Sequence, residues 1–240
     1  MKHCIILSIV FFASATPLYA ATMMAVSNSD SGDSRIWIDD KYARMDTVKS
    51  ENNPHAEAAP PAEMIIDLKH KKLYAIDHNS KTLVDMSNFS MPGQPHSSSV
   101  PVKLSFDKQG RGPDVAGFAT QQYSVSADGQ KCYKALFSKD VLKNKHIVAF
   151  YDAMMNTESG NTNNASPCEA ADNQIYKMSV EKYGMALKVM DTSGKTVFEI
   201  KQIKAGISPP SHYLELPAGY KKKTMLELMQ QQMPMPPATK

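Results

Sequence analysis

The chain has little of what marks the common catalytic classes. No Gly-x-Ser-x-Gly elbow, His-Glu-x-x-His pair, phosphate-cradling P-loop or Gly-x-Gly-x-x-Gly turn occurs in its 240 residues. That removes the signatures of α/β-hydrolases, zincins, P-loop NTPases and dinucleotide-binding enzymes. Cysteine is scarce, at three residues with no Cys-x-x-Cys, and no two of the seven histidines stand four apart. A zinc ribbon or a helical His pair is therefore not written into the chain. Charge of one sign is also lacking, because 27 basic residues face 24 acidic ones. Nucleic-acid binding needs a concentrated basic face, so it is not expected. The densest basic run, Lys221-Lys222-Lys223, reads as a solvated turn near a domain end. After the first twenty residues no apolar run reaches membrane-spanning length, and no stable membrane insertion is expected.

Those first twenty residues carry a pattern of their own. A short basic start at Lys2-His3 leads into an apolar run over residues 4–15, then Pro17 and the small residue Ala20. This is the layout of a secretory signal peptide, with cleavage expected between Ala20 and Ala21. No cysteine follows the cut, so no lipid anchor is expected. The expected mature protein is periplasmic or secreted. Removal takes one lysine and no acid, and the net charge falls from +3 to +2. Cys4 leaves with the leader, and Cys132 and Cys168 remain as an even pair in an oxidising compartment, where one disulfide is expected.

Alternation and turn residues predict short strands at residues 35–39, 42–48, 63–68, 72–77 and 81–86. Further strands are expected over 100–106, 115–125, 130–137, 183–190, 196–203 and 213–216. The loops fall at 49–62 and 87–98, which are polar and rich in proline or serine. Asp67, Asp77 and Asp85 stand near strand ends, where a carboxylate serves turn backbone. One main helix is expected over about 139–155, with Ser138 as its N-cap and Val141, Ile147, Val148, Tyr151, Met154 and Met155 on one face. Residues 224–230 suit one or two further helical turns. The pattern implies an α+β fold, a curved antiparallel sheet of about ten strands forming an unclosed half-barrel with one helix across it. The domain plan is a signal peptide at 1–20, the half-barrel at 21–222, and a short helical turn with a flexible Met/Pro/Gln tail at 223–240.

Methionine is the compositional anomaly, with sixteen in the chain and fifteen after cleavage. Three readings stand side by side. The bland one is core filling by the strand methionines and a tail without core material. A second places Met64, Met86, Met178, Met185 and Met190, with Phe118 and Tyr151, around an apolar ligand cavity, since methionine adapts to flexible partners. A third uses Met225, Met229, Met233 and Met235 as soft thioether ligands for Cu(I).

Several segments also resemble a known group. They are Glu63-Met-Ile-Ile-Asp-Leu-Lys69, Lys72-Leu-Tyr-Ala-Ile-Asp77, Val115-Ala-Gly-Phe118, Gln122-Tyr-Ser-Val125, Tyr183-Gly-Met-Ala-Leu187 and Glu215-Leu-Pro-Ala-Gly-Tyr-Lys221. Together they resemble an uncharacterised family of exported bacterial proteins, a domain of unknown function similar to the LolA/LolB-type lipoprotein carriers. The resemblance spans about residues 35–221. It implies an unclosed barrel with helices across its mouth and an apolar cavity for acyl chains. It implies no catalytic residue and no cofactor. The chain departs from the pattern in the loops at 49–62 and 87–98 and in the methionine-rich tail. The combined expectation is a non-catalytic exported protein that binds a lipid, an acylated chain or another apolar ligand. Copper binding through the tail and an envelope-interaction module without a small ligand are the alternatives.

Overall fold

The computed structural model describes residues 20–29, 32–48, 63–87, 102–157, 166–169 and 180–232. The predicted leader, both predicted loops and the end of the tail lie mostly outside them. One twelve-stranded sheet dominates, in the order β12-β6-β5-β4-β3-β2-β1-β11-β10-β9-β8-β7. Its strands are β1 (Ala21–Asn28), β2 (Gly32–Ile38), β3 (Tyr42–Val48), β4 (Glu63–Asp67), β5 (Lys72–Asp77) and β6 (Thr82–Asp85). They continue with β7 (Leu104–Arg111), β8 (Gln121–Ala127), β9 (Gln130–Ser138), β10 (Met185–Met190), β11 (Thr196–Ile207) and β12 (Lys221–Thr224). Helices α1 (Lys145–Thr157) and α2 (Met225–Gln232) accompany the sheet among the described residues, and a 3-10 turn at Asp140–Lys143 leads into α1. This is an unclosed α+β half-barrel. Two antiparallel meanders, β1–β6 and β7–β11, meet where β11 pairs with β1.

The sheet differs in detail from the expectation. The count is twelve rather than about ten, and the sheet is mixed, because β12 runs parallel to β6. Residues 21–28 form the central strand β1, although Ala-Thr-Met-Met-Ala-Val-Ser-Asn shows no strict alternation. Its first four residues are buried on both faces, so both parities are apolar or hydrogen-bonded. The lysine run is not a turn. Lys221-Lys222-Lys223 forms the short edge strand β12, where charge discourages pairing with another chain.

Turn chemistry sets the register. Asp67 accepts the His70 N–H at 2.9 Å, Asp77 accepts those of Asn79 and Ser80, and Asp85 accepts that of Ser87. The three aspartates serve turns, as their positions suggested. Asp128 and Gly129, at φ of 49° and 83°, give the tight β8–β9 hairpin the left-handed pair that its twist demands. The strand expected at 100–106 lies further along, at Leu104–Arg111, with a bulge between Lys108 and Gly110. The strand expected at 115–125 begins only at Gln121. Val115 and Phe118 exchange backbone hydrogen bonds around Ala116 and Gly117, both at positive φ. Residues 213–216 are turn rather than strand.

The helix cap also differs from the expectation. Asn144 rather than Ser138 caps α1, its Oδ1 accepting the N–H groups of His146 and Ile147 at 3.0 and 3.2 Å. Ser138 still belongs to β9. The helix turns Ile147, Phe150 and Ala153 onto the sheet, and Val148 points outward at 42% exposure. At α2, Thr224 and Glu227 form a reciprocal capping box.

The core has a side for each strand parity. Beneath α1 the largest cluster joins Met24, Ile36, Ile38, Ile66, Leu136, Leu187 and Ile200. On the other face of β7–β10, Val125, Ala135, Phe137, Ala186 and Val189 form a second cluster. Ile65, Tyr74 and Leu83 form a third, against Leu216 and Tyr220 of the segment returning from β11. Neighbours such as Ile65/Ile66 and Leu136/Phe137 face opposite ways because side chains alternate along a strand.

Candidate functional site

The sheet register builds a row of apolar side chains across six strands of the α1 face. Met24 pairs with Ile36, Ile36 with Met45, Met45 with Met64, Met64 with Ala75, and Ala75 with Val84. Directly paired residues share a face, so the row is a continuous stripe. Next to it runs Ile38–Ala43–Ile66–Leu73, in the same direct register. Helix α1 covers that second row, and Ile38, Ile66, Ile147 and Ala153 are each at most 1% exposed. The space beneath α1 is therefore filled by the protein's own side chains. The ladder emerges beyond this packed region, where Met45, Met64 and Ala75 are only half-buried.

The seven residues expected around a cavity distribute as follows. Met185 is buried beneath α1, and Met190, Phe118 and Tyr151 pack half-buried against the same cluster. Met64 stands in the ladder. Met86 follows β6, its backbone N–H bonding to the Leu73 carbonyl at 2.8 Å. Met178 lies outside the described residues. Sequence reasoning missed Met24 and Met45. Met45 sits two residues from Ala43 in a predicted strand, a signal that was available. Met24 had none, because β1 was not recognised. Of the four methionines considered for copper, Met225 and Met229 lie half-buried one turn apart on α2, and Met233 and Met235 lie outside the described residues.

Polar contacts fasten α1 at its N-terminal end. Asn144 Nδ2 donates to Thr22 Oγ1 at 3.0 Å, and Thr22 Oγ1 lies 3.1 Å from His146 Nδ1. His146 Nε2 lies 3.3 Å from Asp40, which also accepts from Lys145 Nζ at 2.6 Å. The hydrogen bond from Lys145 is the main cause that holds the Asp40 carboxyl below its ordinary range. Carboxylate, imidazole and hydroxyl in series resemble a nucleophile relay. Thr22 has no exposed surface, however, and Asn144 occupies its oxygen, so the series works as a latch. Further along the helix, Lys71 meets Asp152 at 2.9 Å.

A second polar network clamps the returning segment onto the other face. Arg44 pairs with Glu63, donates from Nη1 to the Tyr213 carbonyl at 3.1 Å, and lies 4.5 Å over the Tyr213 ring. Trp37 meets that ring edge-on. His78 bridges Glu63 and Tyr220, at 2.7 Å on each side. With Glu63 ionised, His78 Nε2–H donates to it, and the Tyr220 hydroxyl is the partner of Nδ1. Partial burial pushes the Glu63 carboxyl upward, but the His78 hydrogen bond and the Arg44 charge outweigh it and leave a net lowering. At Asp46 the balance reverses. Burial dominates and raises its carboxyl, although Arg44 Nε lies 3.5 Å away. A lowered folded value means that Glu63 stabilises the fold above its ordinary value of 4.5 and loses that contribution as the pH falls through the folded value. Glu63→Gln should therefore melt below the parent at pH 7, and the gap should close under acid. A gap of constant size from pH 7 down to about 3 would contradict this linkage.

The expected disulfide is present. Cys132 and Cys168 are bonded, with their Cα atoms 5.4 Å apart, and the bridge ties residues 166–169 to β9.

Among solved structures, the chain is similar to the crystal structure of MucB at 12% identity with a TM-score of 0.38, covering 85% of this chain and 60% of that one. The complex structure of Pseudomonas aeruginosa MucA/MucB matches at 13% identity and a TM-score of 0.38, over 84% of this chain and 57% of that one. The chain thus spans less than two thirds of the length of these neighbours. No family model matches it, and no curated protein does.

Proposed function

We propose that this chain is an exported, non-catalytic binding module that holds an apolar or acylated ligand along the methionine ladder of its half-barrel. The observation that carries the reading is the half-exposed stretch Met45–Met64–Ala75, in direct register and continuous with the packed core. Unbranched thioether side chains suit such a surface, because they re-pack around a flexible chain at little cost. Burial supplies the driving force, at about 0.8 kcal/mol per CH2. The polar contacts that hold α1 keep its packed rows in place while the ladder beside them stays accessible. A disulfide fits an oxidising compartment, and the leader-like pattern of the first twenty residues fits export. On this reading the mature chain starts at the first residue of β1.

The test is to express the chain with its own leader, recover it from the periplasm, extract it with organic solvent and weigh the lipids by mass spectrometry. Met45→Thr with Met64→Thr keeps strand preference and removes the thioethers. It should lower bound lipid about tenfold or more, the equivalent of about 1.4 kcal/mol. Parent protein that yields no lipid, or a double variant that yields as much as the parent, would sink the proposal.

A further inference from the structure

The face of the sheet opposite the ladder carries a cleft of different chemistry. It is an open cleft of about 520 Å³ against β7, β8 and β9, a size in the range of small-molecule sites. Two cross-strand rows build its floor. One is Arg111–Gln121–Phe137 and the other is Lys108–Tyr123–Ala135, each in direct register. Each row therefore runs from a cation on the edge strand, through β8, to an apolar residue on β9. The rings of Tyr123, Phe137 and Tyr183 pack together, with Tyr123 4.9 Å from Tyr183 and 5.7 Å from Phe137 between ring centres. Phe137 is 1% exposed, whereas Tyr123 and Tyr183 remain half-buried and line the cleft, Tyr183 being stacked on Phe106 at 4.4 Å.

The charged groups around this floor are cations. Lys108, Arg111 and Lys139 line it, and among the described residues no carboxylate does. Among the described residues neither Lys108 nor Lys139 has an ion-pair partner. Arg111 meets only the exposed Asp114, at 3.5 Å, a surface pair of little strength.

We propose that this cleft binds a small organic anion with a flat apolar body, of the aromatic carboxylate class. The carboxylate lies toward Arg111, Lys108 and Lys139, while the flat body lies against Tyr123 and Tyr183. The site is separate from the acyl-binding ladder, because Phe137 and Gln121 face the opposite side of the sheet from Leu136.

The experiment titrates the full chain calorimetrically with 2-naphthoate and with its neutral counterpart 2-naphthalenemethanol. Naphthoate should bind at least about tenfold more tightly. Lys108→Gln with Arg111→Gln should abolish that preference and leave naphthalenemethanol binding unchanged. Tyr123→Leu should weaken both. Met45→Thr with Met64→Thr should leave naphthoate binding as it was, which separates this site from the ladder. Equal binding of the two probes, an unchanged preference in the Lys108/Arg111 variant, or loss of naphthoate binding in the methionine variant would each overturn the proposal.

Discussion

Gly184→Ala should cost the fold about 3 kcal/mol or more. Gly184 precedes β10 with φ of +96°, a conformation that side chains other than glycine rarely adopt. That alone costs about 1–3 kcal/mol. The position is also crowded. A Cβ there would stand 2.5 Å from the Ser138 carbonyl carbon and 2.7 Å from the Lys139 backbone nitrogen, and would touch the Ser138 carbonyl oxygen. Those are backbone atoms at the end of β9, the strand that β10 pairs with, so they cannot swing aside as a side-chain tip would. Forcing them apart adds about 1–3 kcal/mol. In a domain of this size, about 3 kcal/mol lowers the melting temperature by roughly 6–12 °C. Gly194→Ala is the control, because φ is +89° there but nothing lies within 4 Å of the added carbon. A thermal melt of Gly184→Ala no lower than that of Gly194→Ala would show that the crowding is not felt.

Reduction of the disulfide, or Cys132→Ser with Cys168→Ser, should cost about 3–4 kcal/mol in the chain-entropy model for a loop of this length. The bridge spans a sequence separation of 36, across the β9–β10 connection that contains α1. It joins Cys132, 4% exposed among Val102 and Ala127, to residues 166–169. The melting temperature should fall on the order of 10 °C on adding reductant. The β7–β8–β9 end of the sheet should lose amide protection before the β1–β4 centre does, because the bridge stands at that end. Reductant that leaves the melt unchanged, with free thiols confirmed by mass, would contradict the assignment of stability to this bond.

Much of the fold was legible locally. Short runs of apolar residues bounded by turn residues located β3, β4, β5 and β9. The aspartates at 67, 77 and 85 and the Asp128-Gly129 pair marked real turns, because their chemistry acts within two or three residues. The elements that escaped are those defined by distant partners. β1 has both parities buried between β2 and β11, so its eight residues carry no period-two signal. β12 is three lysines and a threonine, and it is a strand only because β6 offers it an edge. Ser138 was the expected cap, a choice made from local sequence alone. Pairing of Ser138 with Met185 extends β9 and pushes the helix start to Asn144.

The candidate site divides in the same way. Sequence alone determined that methionine is abundant, that the two cysteines beyond residue 20 form a pair, that the strands are short and that no standard catalytic motif is present. These are properties of composition and of near neighbours in the chain. Only the tertiary structure decided which methionines stand together. Met24, Met45 and Met64 come from three strands and share a stripe because the β1–β4 register places them opposite Ile36 and one another. The same register put Arg111, Gln121 and Phe137 in one row, although nothing in their spacing relates them. A one-residue slip would turn every one of these side chains to the other face. Register is a property of the whole sheet, set by which parities the core can bury, and no single strand contains it.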